Sequence, residues 1–287
     1  MVSQLVWLIT GTSSGIGRDL ALEALKRGEK VIATGRARSI SKLEDLKSKG
    51  ADIIELDVTS PLETLEEIAQ KAVAIHGRID VLVNNAGYIL VGAIEESTPQ
   101  ETYDQFNTNV FGALNVSRAF LPYMREKRTG TVLFIGSLGG WKSSPYAGLY
   151  VATKWALRGI AETLHDEISP LGLRSICVDF GYFRTSFLQA DQRAPQVSRI
   201  SDYQEINETV ENALQAYNGK QPGDPIKGVN ILLDLVRGEG QAAGKQFPRG
   251  LSLGTDAYNV AKTASLSALE RLEEWKEVSF STDIVEN

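Results

Sequence analysis

Apolar and polar positions alternate along this chain in a regular rhythm. Short runs rich in Val and Ile recur at Leu5–Thr10, Lys30–Thr34, Asp52–Leu56, Asp80–Val83, Thr131–Ile135 and Arg174–Asp179. Each has the length and near-continuous apolar character of a strand buried on both faces. Amphipathic stretches of helical period lie between them. Strand-helix repetition of this kind predicts an α/β fold, a doubly wound parallel sheet with helices on both faces. Helix starts are marked at Ser60-Pro61-Leu62-Glu63 and Thr98-Pro99-Gln100-Glu101, each reading as a capping box with Pro at the first helical position. The second helix continues to about Glu126, with room for a break, and Gly130 hands over to the next strand.

From Tyr182 to about Lys227 the rhythm fails. This stretch is polar, carries Pro195, Pro222 and Pro225, and holds one helix near Tyr203–Tyr217. A long irregular insertion reads as a substrate loop or lid over 182–227, with a surface loop of no special role as the alternative. Leu251-Ser252-Leu253 then forms a last strand, followed by a charged helix from Asp256 to about Glu277. No linker, low-complexity tract or repeat interrupts residues 1–287, so a single domain is expected.

Composition narrows the function. The 287 residues carry 30 Lys and Arg against 36 Asp and Glu, a net charge of −6, which argues against nucleic acid as a partner. With 43% apolar and 23% charged residues the chain reads as an ordinary globular protein. Cys177 is the one cysteine, which excludes an intrachain disulfide framework. The two histidines, His76 and His165, stand in no metal-binding spacing, so no metal is expected, and no hydrolase nucleophile elbow occurs. The longest early apolar run is too short for a signal peptide or a spanning helix, so a cytoplasmic protein with no membrane segment is expected.

The candidate chemistry sits at the strand ends. Gly11, Ser13, Ser14, Gly15, Ile16 and Gly17 lie between the first strand and its helix, spaced G-x-x-x-G-x-G. Glycines permit a tight turn and close backbone approach, and a helix N-terminus offers free N–H groups to a pyrophosphate. A strand-to-helix turn without a ligand is the alternative. No acid occurs between Glu29 and Glu44; Gly35 and Arg36 occupy the end of the second strand. A guanidinium binds a 2′-phosphate that a carboxylate would repel, which favours NADP(H) through Arg36. Arg38 is either a second such group or a solvated loop residue. Asp57 and Val58 follow the third strand, where an Asp can accept from an adenine amino group or serve as a simple loop acid. Asn84-Asn85-Ala86-Gly87 closes the fourth strand; Asn side chains at a strand end can satisfy backbone groups of neighbouring strands, and small Ala and Gly let a cofactor approach, with a simple turn as the alternative.

Tyr150 and Lys154 are four apart in a helical stretch and share one face. An ammonium beside a phenol favours tyrosinate and lowers the phenol pKa from about 10, so the pair is suited to acid/base exchange with a carbonyl or alcohol oxygen. Ser137, ending the fifth strand, is placed to hold the same oxygen.

In order and separation, Thr10–Gly17, Asp57, Asn84–Gly87, Asn109, Ser137, Tyr150, Lys154 and Thr185 make the chain resemble the short-chain dehydrogenase/reductase family over nearly its whole length. The resemblance implies a Rossmann-type domain moving a hydride between a nicotinamide and a carbonyl or alcohol. It implies Tyr150 as general acid/base, Lys154 as the residue that lowers the Tyr150 pKa and binds the nicotinamide ribose, and Ser137 as the group that polarises the substrate oxygen. It further implies that Asn109 helps hold a water linking Lys154 to solvent and that Ser13 and Ile16 contact phosphates. Asn84, Ala86 and Gly87 would line the adenosine and ribose side. Gly181, Phe183 and Thr185 match a carboxamide-binding segment, although Phe180 replaces the family's proline and puts the local backbone course in question. A weaker likeness points to the hydroxysteroid- and retinol-dehydrogenase-like branch. Family relatives are often homodimers or homotetramers.

Position in the chain nominates Leu138, Trp141, Tyr146 and Phe187, with Ile89, Leu90 and Leu188, as a mostly apolar and aromatic substrate pocket. Trp141 and Phe187 stand equally as core or dimer contacts. The expected activity is an NADP(H)-dependent reductase or dehydrogenase for an apolar or aromatic ketone, aldehyde or secondary alcohol. A redox-neutral dehydratase, epimerase or cyclase, and a cofactor-sensing regulator, are the competing uses of the same fold.

Overall fold

In a computed structural model of the chain, residues 4–189, 193–194 and 197–284 are described. The anticipated lid includes Pro195, which lies outside those residues together with 190–192 and 196. Among the described residues there are seven strands: β1 (Val6–Ile9), β2 (Lys30–Gly35), β3 (Asp52–Glu55), β4 (Val81–Asn84), β5 (Gly130–Ser137), β6 (Leu173–Phe180) and β7 (Gly250–Leu253). They form one all-parallel sheet in the order β3-β2-β1-β4-β5-β6-β7. The strand bounds differ from the sequence reading by at most two residues at either end. β5 and β6 run longest and pair along eight positions, from Gly130 beside Leu173 to Ser137 beside Phe180.

Strand alternation sends side chains to two separate cores. On one face Leu8, Ile32, Leu82, Val132 and Phe134 meet α3 (Leu62–His76), α5 (Ala113–Lys127) and α6 (Gly148–Ile168). On the other, Trp7, Ile9, Val31, Val83, Leu133 and Ile176 meet α1 (Gly15–Lys26) and α8 (Pro225–Arg237). That two-sided covering is why the strands read as continuous apolar runs.

Local signals met the structure unevenly. Thr98 caps α4 (Pro99–Phe106) as expected: its Oγ1 accepts from the Glu101 N–H at 3.1 Å, and its own N–H donates to Glu101 Oε2 at 2.8 Å. The box at Ser60 does not form. Pro61 is extended, with ψ of 149°, so α3 starts one residue later and Ser60 falls outside capping reach. The break before α5 is a π-helical segment over Asn107–Gly112. Helix α7 (Gln204–Tyr217) matches the one helix placed in the irregular stretch, whereas α8 was not anticipated there. Its signal was Asp224-Pro225: the Asp224 carboxylate accepts from the N–H groups of Ile226 and Lys227, and Pro225 opens the helix. The C-terminal helix is divided at Trp275 into α9 (Thr255–Glu274) and α10 (Lys276–Phe280). Between β2 and β3 lie a 3₁₀ segment, Ala37–Leu43, and the short α2 (Glu44–Ser48). Among the described residues, no helix is long and apolar enough to cross a membrane.

Candidate active site

The strand order reverses its direction of growth between β1 and β4, which opens a crevice at the carboxyl ends of the strands. A cavity of about 800 Å³ occupies it, reaching from Arg36 and Lys42 beyond β2 to Leu214 and Tyr217 of α7. The turn after β1 forms one wall. Gly11 has φ of +70°, and a Cβ there would meet Ala86 Cα at 2.9 Å. Asn85 braces this turn: its Nδ2 donates to the Thr10 and Gly11 carbonyls at 2.8 and 3.0 Å. Thr10 Oγ1 in return accepts from the N–H groups of Asn85 and Ala86 at 2.9 and 3.0 Å. The Ser14 side chain makes no cap bond and the first turn of α1 carries no acid, so the helix N-terminus faces the cavity with its N–H groups uncapped. This glycine-lined cradle fits a dinucleotide pyrophosphate.

At the β2 end, Arg36, Arg38, Ser39 and Lys42 line the cavity, with Asp57 and Val58 from the β3 end opposite. Burial lowers the Arg36 pKa from its ordinary range, Arg38 adds to that effect, and Asp57 opposes it. Asp57 Oδ1 is engaged with Thr59, accepting from its N–H at 3.0 Å and its hydroxyl at 2.8 Å.

The opposite half carries the acid/base groups. Ser137 ends β5, and its Oγ accepts from the Gly139 N–H at 3.1 Å. Tyr150 and Lys154 enter from α6 on one helix face, and all three line the cavity. Lys154 Nζ donates to the Ile135 carbonyl at 2.7 Å and lies 5.5 Å from the centroid of the Tyr150 ring. The ammonium thus faces the ring and a backbone oxygen. At Tyr150 burial outweighs the lowering expected from the neighbouring ammonium: it pushes the phenol up to about 12, against a hydrogen bond with Ser137 that lowers it. Burial in turn pushes Lys154 down to about 8.

Gly181, Phe183 and Thr185 line the same cavity. Phe180 stays within β6, opposite Leu253, and packs edge-on against Phe183 with ring centroids 4.8 Å apart. The backbone beyond it is pinned by Asp256 of α9, whose Oδ2 accepts from the Tyr182 N–H at 2.7 Å. Leu138, Tyr146, Phe187, Ile89 and Leu188 also reach the cavity.

Five nominated residues do not line it. Asn84 points away, its Nδ2 donating to Ser117 Oγ at 2.9 Å, because β4 alternation turns it into the helix-covered face. Gly17 sits behind the turn, where a Cβ would collide with Asn85. Asn109 is buried in the π segment, with its Nδ2 on the Tyr88 carbonyl at 3.0 Å and on Thr153 Oγ1 at 3.2 Å. Leu90 is fixed by its N–H, which donates to Gln105 Oε1 at 2.6 Å. Trp141 turns inward, its Nε1 donating to Asp179 Oδ2 at 2.8 Å.

Asn85 fills the role read for the Asn84–Gly87 turn, satisfying backbone carbonyls of the neighbouring strand end, whereas the sequence reading missed Tyr88, Tyr182 and the inner face of α7, where Val210, Ala213, Leu214 and Tyr217 close the cavity. The spacing i, i+3, i+4, i+7 of that α7 set was a legible amphipathic signal. Asp256 carried none, because its partner lies 74 residues away in the chain.

A protein-family model described as short chain dehydrogenase matches residues 5–196. Oxidoreductase BOA17 of Botryotinia fuckeliana is 33% identical over 283 residues, covering 96% of this chain and 98% of its own length. A crystal structure of a short-chain dehydrogenase from Streptomyces avermitilis is 37% identical, with a TM-score of 0.85 over 99% of this chain and 100% of that one. ElxO, solved with NADP bound, is 26% identical, with a TM-score of 0.72 over 90% of this chain and 100% of that one. With that match to the family model, near full-length similarity to an oxidoreductase and the fold shared along the whole chain, the protein belongs to the short-chain dehydrogenase family of oxidoreductases.

Proposed function

We propose that the protein is an NADP(H)-dependent reductase or dehydrogenase acting on an apolar or aromatic ketone, aldehyde or secondary alcohol. The observation that carries this reading is the meeting of Ser137, Tyr150 and Lys154 in one cavity with the glycine turn of β1. The turn, with Gly11, Ser13, Ser14, Gly15 and Ile16, would hold the pyrophosphate against the N-terminus of α1. Arg36, with Arg38 beside it, would take the 2′-phosphate, and the absence of an acid at the end of β2 supports NADP(H) over NAD(H). Gly181, Phe183 and Thr185 would receive the nicotinamide end. When bound, the cofactor supplies or accepts the hydride.

The chain's own residues supply the proton and the polarisation. A phenol at about 12 stays protonated at neutral pH, so Tyr150 serves as general acid toward the oxygen of a carbonyl undergoing reduction. The Ser137 hydroxyl, hydrogen-bonded to Tyr150, orients that same oxygen. Lys154 places a positive charge beside the phenol and favours the tyrosinate left after transfer. Ile89, Val91 and Tyr146 pack with Tyr150, Val210 and Leu214 in one apolar cluster, which supports an apolar substrate body. In this reading residues 1–287 act as one catalytic unit and 182–227 supply the substrate wall.

The test is loss of NADPH absorbance with a panel of ketones and aldehydes, beside Tyr150→Phe. Turnover of apolar and aromatic compounds that vanishes in the variant supports the proposal. Turnover confined to small polar sugars or acids would overturn the substrate class. NADPH binding with a chemical conversion but no net NADPH consumption would turn the reading to a redox-neutral enzyme.

A further inference from the structure

Beneath the serine turn lies a buried carboxylate that the acid/base mechanism does not use. Asp179, one position before the end of β6, has a side chain only 3% exposed. Its Oδ1 accepts from the Ser137 N–H at 3.2 Å and from Cys177 Sγ at 3.5 Å. Its Oδ2 accepts from Trp141 Nε1 at 2.8 Å and lies 3.6 Å from Arg158 Nε. Arg158 lies over the Trp141 ring, 3.4 Å from its centroid, and its Nη1 donates to the Gly140 carbonyl at 2.8 Å. Gly136 is required beneath it, since a Cβ there would strike Asp179 Oδ1. The whole turn from Ser137 to Trp141 is therefore fastened at its start, its penultimate residue and its end to one carboxylate and one guanidinium.

Arg158 also stands four residues beyond Lys154 and eight beyond Tyr150 on α6. One stripe of that helix thus carries the acid/base pair into the cavity and, a turn lower, grips the loop that carries the serine. We infer that Asp179, held by Trp141 and Arg158, is a positioning residue that fixes the Ser137 hydroxyl in register with Tyr150. The inference rests on the proposed acid/base role of Ser137 and Tyr150. The arrangement also accounts for the carboxylate's burial. Removal from water raises the Asp179 pKa, while Trp141, Arg158, Cys177 and the Ser137 N–H oppose that rise. Lys154 and Tyr150 both feel its charge.

Trp141→Phe keeps an aromatic ring beneath Arg158 and removes the N–H donor together with the pyrrole half of the indole. Two readouts are taken: amide hydrogen exchange at Ser137, which needs no substrate, and steady-state kinetics. The expected result is exchange at the Ser137 amide faster by about tenfold or more, with Val132–Phe134 of the same strand unchanged. Alongside it, kcat falls by about tenfold while the NADPH Kd stays within about twofold. Arg158→Lys, which keeps the charge but loses the planar stacking, should act in the same direction and serves if the first variant does not fold. Unchanged exchange at Ser137 overturns the inference. So does faster exchange throughout β5, which would mark a merely structural role, and so does local loosening with kcat unchanged. Should the wild type reduce no compound on the panel, the reductase reading fails by itself and the amide arm alone decides whether the clamp holds.

Discussion

Arg36 shares its corner of the cavity with Arg38 and Lys42, and it faces the end of β2, where no acid stands. Replacing it by Ala should weaken NADPH binding by about 1.5–3 kcal/mol, the worth of a charge-assisted contact, and leave NADH binding nearly unchanged. Fluorescence titration with both dinucleotides checks this, and an unaltered preference would remove Arg36 as the phosphate reader. Lys154 yields a prediction on stability. Its ordinary pKa of 10.5 falls to about 8 on burial, so between those values the folded protein binds fewer protons than the unfolded one. The ammonium therefore costs stability in full below about pH 8, and the cost fades as pH rises toward 10.5. Lys154→Met should abolish NADPH-dependent turnover yet raise the melting temperature at pH 7 by about 2–4 °C for each kcal/mol recovered. That gain should shrink in melting curves recorded at increasing pH. Types and spacing of these residues were readable along the chain. Which way a side chain points was not, as Trp141 and Asn84 show: strand phase and a distant acceptor decided it.

Elements tie the apolar wall to the body through two carboxylates. Burial pushes Glu96 up, but hydrogen bonds from the N–H groups of Arg199, Ile200 and Ala93 and from Asn207 of α7 outweigh it and hold it at about 2. Glu211 of α7 is held at about 2 by Arg193 first, with Gln215 and the Tyr146 hydroxyl adding to the effect against burial. Both carboxyls lie below their ordinary 4.5, so their stabilisation is present above that pH and is lost as pH falls toward about 2. Amide exchange on α7 should therefore quicken across this acid window before that of the sheet does. Glu96→Gln combined with Glu211→Gln should raise KM for an apolar substrate by about tenfold while the NADPH Kd is unchanged, because charge-assisted bonds to the wall are lost and the cradle is untouched. Equal losses in both constants would refute that division. Among the elements, α4 and α7 were legible from their own residues, since a cap and an apolar stripe are local. Helix α8 shows the same signals at Asp224-Pro225 and was hidden by the polar stretch around it. Ser60 shows the converse: the motif is present, but the extended Pro61 starts the helix too late to use it.

Across the whole molecule, the sheet order brings residues from β1, β2, β4, β5 and β6 to one crevice, and two cores hold that order. Phe120 is fully buried between α5 and the sheet and does not itself line the cavity. Phe120→Ala should cost about 3–5 kcal/mol of stability in chemical denaturation. NADPH affinity below the transition should stay as in wild type; a matching loss of affinity would show that the cavity depends on that core more directly than the packing indicates. The sequence by itself determined the strand-helix rhythm, the two-faced burial of the sheet, the glycine turn, and the Tyr150–Lys154 pair on one helix face. All of these follow from spacing within one or two elements, where periodicity and backbone stereochemistry act over a few residues. Only the tertiary structure decided that the backbone groups Asn85 satisfies are those of the glycine turn, that Asp179 gathers Ser137, Trp141 and Arg158, and that Asp256 fastens the backbone at Tyr182. Burial, set by the assembled fold, also decided that Tyr150 is pushed up rather than down. These outcomes depend on contacts between residues tens of positions apart and on the exclusion of water from the site, neither of which any local pattern encodes.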